Sequence, residues 1–393
     1  MEWIQNTFKD ADNAKKFSKD FVETEIKKAH QFHKSIPQYE MTSLHELQDR
    51  SKELELGALF VKDESTRFGL NAFKGLGASY AVASYFAGKL SLDMTETTFN
   101  ELLEEVSKYP AETFATATEG NHGKGVAWAA GIFNQKGKVF LPKGAAEARV
   151  DAVTELGAEA KVTDINYDDT VQYTADQAGG NGWILLQDTS WEGYEDIPTN
   201  IMQGYTTIIS EITEQLESEN LEQVTHVILQ AGVGSFAGAV SAAIYNITGG
   251  NTPKIIVVEP SAADPLFRSA DSELGNPVRV YGDMDTMMTG LSCGEPSPIG
   301  WNILKTTTDY FISCDDDVSA EGMRMLGKPA AGDRKITSGA SGALPAGFLH
   351  EVMTNDSYAD LKENLKLSSG STVLVINTEG DTDPDNYQKV MNG

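Results

Sequence analysis

Residues 114–141 read FATATEGNHGKGVAWAAGIFNQKGKVFL, and this stretch decides the fold class. Phe114-Ala115-Thr116 predicts a strand, the small-residue segment from His122 to Phe133 a helix, and Lys138-Val139-Phe140-Leu141 a second strand. Strand, helix, strand is the unit from which parallel sheets are built, because parallel neighbours need a crossover connection. The rhythm continues with a helix from Ala145 to Leu156, a strand Ala160 to Thr163, a helix from about Asp169 to Gln177 and a strand Trp183 to Leu186. This rhythm predicts an α/β fold with parallel sheet.

Working outward, the alternation over about residues 92–195 reads as a small inserted α/β domain. A larger domain is then built from both ends of the chain, residues 1–91 and 196–393. Its expected helices run from Asp12 to Ser35, Gly75 to Gly88, Ile201 to Leu216, Ser235 to Tyr245 and Ser341 to Met353. Its expected strands are Leu59 to Val61, Val224 to Leu229, Ile255 to Val258 and Val373 to Ile376. The region from Ser261 to Asp333 is rich in Gly, Pro and Asp and predicts few elements. Two open twisted α/β lobes would leave a cleft between them, a common place for a small-molecule site.

The bulk numbers narrow the partners. The chain has 393 residues, 40% hydrophobic and 23% charged, which suits a globular protein of one or two domains. Its 31 basic and 58 acidic side chains give a net charge of −27. Such a chain repels phosphate backbones and anionic lipid, so neither nucleic acid nor a membrane surface is expected as a partner. Two cysteines, Cys293 and Cys314, make neither a disulfide framework nor a metal cluster, so reduced thiols, no metal and a cytoplasmic location are expected. Residues 1–10 lack the basic and apolar regions of a signal peptide, and no stretch has the apolar length to span a bilayer.

Five segments carry candidate chemistry. The run Asn71-Ala72-Phe73-Lys74-Gly75-Leu76-Gly77 places a lysine at the mouth of a helix. A desolvated lysine with a lowered pKa is a good amine nucleophile and can form an imine with an aldehyde cofactor; the competing reading is a surface lysine snorkelling off its helix. Thr116 to Gly123 (TATEGNHG) lies between strand and helix, where free backbone N–H groups can hold an anion. A capped helix start, with Thr118 or Asn121 as cap and Glu119 in the first turn, explains the same residues. The loop Gly232-Val233-Gly234-Ser235-Phe236-Ala237-Gly238 comes after a strand and opens a helix, which suits a phosphate. It also loosely matches a dinucleotide fingerprint, with Glu259 at the end of the next strand to meet a ribose. Gln187 to Tyr194 mixes the carboxylates of Asp188 and Glu192 with hydroxyls, Trp191 and Tyr194, a composition that suits an ammonium-bearing substrate and an ordinary loop equally well. Asn377 to Asp383 comes after the last strand; its polar residues suit a hydrogen bond to a buried ring nitrogen, and a solvated acidic turn explains them too.

Taken in this order, the clusters resemble those of the fold type II family of pyridoxal-phosphate (PLP) enzymes. The resemblance rests on Arg67 to Lys74, Gly120-Asn121-His122-Gly123, Gln187-Asp188-Thr189 with Trp191 and Tyr194, the glycine loop, and Thr378 to Asp383. It implies that PLP is bound in the cleft, held by Lys74, with its phosphate on Gly232 to Gly238 and its ring against Asn121. Either Asn377 or Thr378 would face the ring nitrogen. It further implies a lyase that eliminates ammonia from 2,3-diaminopropionate, giving pyruvate and two ammonia. Lys74, Glu119 and Asp188 would be catalytic, and Thr118, Glu119, His122, Asp188 and Tyr194 would bind the diamino acid. Relatives are often homodimers. Serine or threonine dehydration and β-replacement are the alternatives within the family; an NAD-dependent oxidoreductase is the alternative outside it. Two residues depart from the family pattern. Glu119 stands where aspartate is usual in a position tied to the D-isomer, and Ala340 stands where an acidic residue is frequent. Misplacing a reacting group by about 1 Å costs on the order of 100-fold in rate, which leaves use of the D-isomer open.

Overall fold

The computed structural model describes residues 1–118, 120–216 and 221–393. Its strands in chain order are β1 (Glu2–Gln5), β2 (Leu44–Glu46), β3 (Ala58–Asp63), β4 (Thr113–Ala117), β5 (Lys136–Leu141), β6 (Glu159–Val162), β7 (Ile184–Leu185), β8 (His226–Gln230), β9 (Lys254–Pro260), β10 (Tyr310–Cys314) and β11 (Thr372–Asn377). Among the described residues they form two sheets. One has seven strands in the order β1-β10-β9-β8-β11-β3-β2, the other four in the order β6-β5-β4-β7. The four-stranded sheet is parallel throughout. The larger sheet is parallel except at its edges, where β1 and β2 run antiparallel to their neighbours.

The large sheet is covered on both faces, as a parallel sheet requires. Along β8, Val227 and Leu229 join one apolar cluster and Ile228 the other. The same alternation runs through Ile255, Ile256, Val257 and Val258 of β9 and through Val373, Leu374, Val375 and Ile376 of β11. Successive side chains on a strand point to opposite faces, so these near-continuous aliphatic runs feed two cores at once.

Several expected elements change form. The Asp12–Ser35 helix is three pieces, Ala11–Phe17, a 3₁₀ turn Lys19–Phe21, and Glu23–Lys34. The break is held by tertiary hydrogen bonds, since Asn246 Nδ2 donates to the carbonyls of Ser18 and Phe21, both at 2.9 Å. The Ile201–Leu216 helix begins earlier and divides at Thr206 into Asp196–Tyr205 and Thr207–Gln215. There the Thr206 hydroxyl donates back to Gln203 O at 2.6 Å, a bond that competes with the helical ladder. The region expected to be poor in elements holds β10 and the helices Pro265–Asp271, Pro298–Thr307 and Asp316–Gly327. Two of these helices begin with the proline that makes the segment read as loop; at the first helical position that residue costs nothing.

Glu259 is not placed to meet a ribose. It is fully buried at the end of β9 and accepts from the backbone N–H groups of Leu266 (2.9 Å) and Phe267 (2.6 Å), so it serves the start of the Pro265–Asp271 helix. Among the described residues, no helix is long and apolar enough to cross a membrane.

Candidate active site

The carboxyl ends of β3, β4, β8 and β11 and the loop after β7 converge on one open cavity. Its wall carries Lys74, Thr118, Asn121, His122, Asp188, Gly232 to Phe236 and Thr378. Crevices at the carboxyl ends of parallel strands are where open α/β folds bind ligands.

The segment before Lys74 is pinned before it can present the lysine. Arg67 is fully buried and pairs with Glu64 (2.7 Å) and Glu211 (2.8 Å). Phe68 and Asn71 adopt left-handed backbone, with φ of 53° and 57°. Phe68 stacks on Trp128 of the helix Asn121–Ile132 at 4.3 Å, and the Phe73 N–H donates to Thr378 O at 3.1 Å. Lys74 then stands at the start of the helix Gly75–Leu90, and Nζ lies 2.6 Å from Asp188 Oδ2.

That contact governs the electrostatics. The Lys74 side chain is 19% exposed and that of Asp188 8%. Burial is the largest single effect and works against the Lys74 ammonium, but the charge and hydrogen bond of Asp188, with Tyr205 and Cys293, together outweigh it and hold the pKa above the ordinary lysine range. The lowered lysine pKa expected from the sequence therefore does not hold here, because the carboxylate touches the amine. Burial likewise opposes ionisation of Asp188, yet His122 and Lys74 bring its carboxyl down to about 2. His122 Nδ1 lies 3.7 Å from the same Asp188 oxygen, while Nε2 sits 2.8 Å from Leu186 O. Burial, the larger effect, holds the pKa of His122 below its ordinary value.

The glycine loop opens the helix Ser235–Ile247. Gly234 has φ +93°, a conformation that a side chain rarely tolerates, so the turn requires glycine. The first N–H groups of this helix lack intrahelical acceptors and are available to an anion. The Ser235 hydroxyl donates to Asp188 O at 2.6 Å and so joins this loop to the loop after β7. On the remaining side, Thr118 Oγ1 accepts from the N–H groups of Gly120 (2.9 Å) and Gly123 (3.1 Å), which shapes the turn that presents Asn121.

Four expected site residues lie outside the cavity wall. Tyr194 is spent on structure: its hydroxyl accepts from Gln187 N (2.9 Å) and donates to Leu185 O (2.9 Å), and its ring stacks on Trp191. Asn377 gives both ends of its amide to a buried network, donating to Asp63 Oδ1 (2.9 Å) and accepting from Ser338 Oγ (2.7 Å). Ala237 and Gly238 face the protein interior, where Gly238 packs against Gly300. Thr378 does reach the wall, and its hydroxyl accepts from Gln230 Nε2 at 2.8 Å. Glu119 lies outside the described residues. Tyr167, Gln230 and Ser341 stand on the wall without being expected there from the sequence, and Glu379 stands there from within the segment 377–383 without an expected role of its own. Gln230 adjoins the glycine loop and Glu379 adjoins Thr378, so proximity to a motif is the available signal for both.

The pyridoxal-phosphate dependent enzyme family model matches residues 36–379 of the chain. A diaminopropionate ammonia-lyase of Salmonella typhimurium is 49% identical over 363 residues, 92% of this chain and 90% of that protein. One of Escherichia coli K12 is 47% identical over 371 residues, 94% and 92% respectively. The crystal structure of the Escherichia coli diaminopropionate ammonia-lyase in complex with an aminoacrylate-PLP azomethine reaction intermediate superposes with a TM-score of 0.91 at 44% identity, covering 99% of this chain and 96% of that one. A tomato threonine deaminase shares the fold, with a TM-score of 0.71 at 20% identity.

Proposed function

The chain belongs to the pyridoxal-phosphate dependent enzyme family, with the fold type II architecture, and on that premise we propose that it eliminates ammonia from 2,3-diaminopropionate to give pyruvate and two ammonia. The observation that carries this reading is identity of 47–49% to diaminopropionate ammonia-lyases over more than nine-tenths of the chain.

The pocket fits the cofactor on its own terms. It offers the Lys74 amine for an aldehyde, a glycine turn at a helix N-terminus for a phosphate, and Asn121 and Thr378 for a polar ring. Among the described residues, two buried polar atoms of the wall, His122 Nδ1 and Gln230 Oε1, have no hydrogen-bond partner. Lys74, Asn121, Gly232 to Phe236 and Thr378 would hold PLP, which when bound supplies an electron sink for the electrons left at the substrate α-carbon.

The remaining work falls to the side chains. Lys74, once its amine is free, accepts the α-proton of the L-isomer. Asp188 is ionised and already holds an ammonium, that of Lys74, at 2.6 Å. When the lysine is engaged elsewhere, the same carboxylate is available to the second ammonium that distinguishes a diamino acid from serine. Glu119, Thr118 and His122 complete the substrate side. His122 has little charge of its own to repel that ammonium, because burial disfavours its protonation.

We read residues 1–91 with 196–393 as the cofactor-binding domain and 92–195 as the small inserted domain. Membership of the two sheets supports this division. A cytoplasmic homodimer completes the proposal; sedimentation at the mass of a single 42.6 kDa chain would contradict the dimer.

The test is a panel of L- and D-diaminopropionate, L-serine and L-threonine, assayed for ammonia and pyruvate. Diaminopropionate is expected to be the best substrate by kcat/KM. Preference for serine or threonine would move the enzyme to the dehydratases. A Lys74→Ala variant should lose both turnover and the visible absorbance of the bound cofactor.

A further inference from the structure

Glu379 is a buried carboxylate on the cavity wall that the reaction, as proposed, leaves without a part. It lies just past β11 of the seven-stranded sheet, whereas Asn121 lies just past β4 of the four-stranded sheet. Asn121 Nδ2 donates to Glu379 Oε2 at 2.5 Å. The Thr382 hydroxyl donates to the same oxygen at 3.1 Å, and the Ser341 N–H donates to Oε1 at 3.1 Å. Ser341 lies in the first turn of the 15-residue helix Ala340–Thr354, whose positive end favours an anion. The space for the carboxylate is built in: a Cβ at Gly339 would stand 2.6 Å from Oε1.

All three partners donate. A carboxylate accepts at both oxygens, while glutamine would turn an NH₂ group toward at least one donor. A carboxamide presents nearly the same shape in either orientation, so an asparagine on a ligand pocket needs a neighbour to decide which end faces where. Glu379 supplies that decision, because only the nitrogen end of Asn121 can meet it. The same bond spans the two sheets at the edge of the pocket.

We infer that Glu379 is a positioning residue: it fixes the Asn121 carboxamide, and through it the seating of the PLP ring between the two sheets. This rests on the assignment of the pocket to PLP. The experiment titrates PLP into the apo-forms of the full-length wild type, Glu379→Gln, Asn121→Ala and the double variant, and tracks absorbance to obtain Kd. Each single change is expected to weaken PLP by about tenfold, the scale of one charge-assisted hydrogen bond. The double variant should be no weaker than Asn121→Ala alone, since Glu379 acts only through Asn121. A Glu379→Asp variant keeps the charge but withdraws it by one methylene, and should lose affinity as Glu379→Gln does. Wild-type Kd in either Glu379 variant, or a double-variant loss equal to the product of the singles, would overturn the inference. A wild type that bound no PLP would instead overturn the pocket assignment, so the two failures are distinguishable.

Discussion

At the scale of single residues, the pocket is organised by one short ion pair. Lys74 and Asp188 favour each other's charged form against the cost of burial, with His122 also acting on Asp188 and Tyr205 on Lys74. The pair carries a pH signature. The Asp188 carboxyl titrates at about 2 when folded and at about 3.9 when unfolded. Its contribution is therefore fully present above the unfolded value and is lost as pH falls through the folded one. On the order of 2 kcal/mol is at stake. Acid unfolding of the apo-protein between about pH 4 and 2 should thus be shallower in Asp188→Asn than in the wild type. Circular dichroism against pH measures it, and identical acid limbs would contradict the assigned pair. On the proposed role of this carboxylate toward the substrate ammonium, the variant should also lose most of its kcat/KM for diaminopropionate while still binding PLP.

At the scale of elements, the site is made by loops at the carboxyl ends of strands, and each loop is shaped by the element that comes after it. Gly234 is the clearest case, since its positive φ lets β8 hand over to the helix Ser235–Ile247 within a few residues. A Gly234→Val change forces a β-branched residue into a conformation that costs of order 1–3 kcal/mol. Its Cβ would also press on the buried Leu304 and Leu266 side chains, 3.2 and 3.3 Å away, and so distort the turn. The expected outcome is a PLP affinity at least tenfold weaker, read by absorbance titration; unchanged affinity would place the phosphate elsewhere. Glu259 shows the converse. It ends β9 in the position a dinucleotide fold uses for ribose, yet both oxygens are occupied by the Leu266 and Phe267 N–H groups. A match at the level of spacing is undone by the neighbouring helix.

At the scale of the whole molecule, a buried charge network joins the turn before Lys74 to β3 of the seven-stranded sheet and to the helix Thr207–Gln215. Lys62, Glu64, Arg67 and Glu211 are all fully buried; Glu211 accepts from Lys62 at 2.6 Å and from Arg67 at 2.8 Å. Burial opposes the charge of Glu211, but Arg67 and Lys62 bring its carboxyl down to about 2. Removing that carboxylate takes away the buried ion-pair partner of Lys62 and leaves Arg67 with Glu64 alone, so Glu211→Ala should cost about 3 kcal/mol or more of stability. Urea unfolding monitored by fluorescence measures it; a loss below about 1 kcal/mol would mean that water or Glu64 takes over the role.

Locality explains how much of this is legible in the sequence. The α/β class, the strand–helix rhythm of residues 114–186, Lys74, the glycine loop and the Asn121 turn are set by patterns within a few residues, and those patterns survive folding. β10 escapes because five buried residues amid Gly, Pro and Asp carry no periodicity. The broken first helix escapes because Asn246, some 225 residues away in sequence, holds its carbonyls. The Lys74 pKa moves opposite to expectation because Asp188, 114 positions on, touches the amine. Tyr194, Asn377, Ala237 and Gly238 stand inside the right motifs but turn away from the cavity, while Glu379, one residue past Thr378, turns into it. Which residues have chemistry to offer is a property of side chains and their near neighbours. Which of them meet, and in what state of charge, is decided only when two sheets close on one pocket and long-range contacts outweigh local preference.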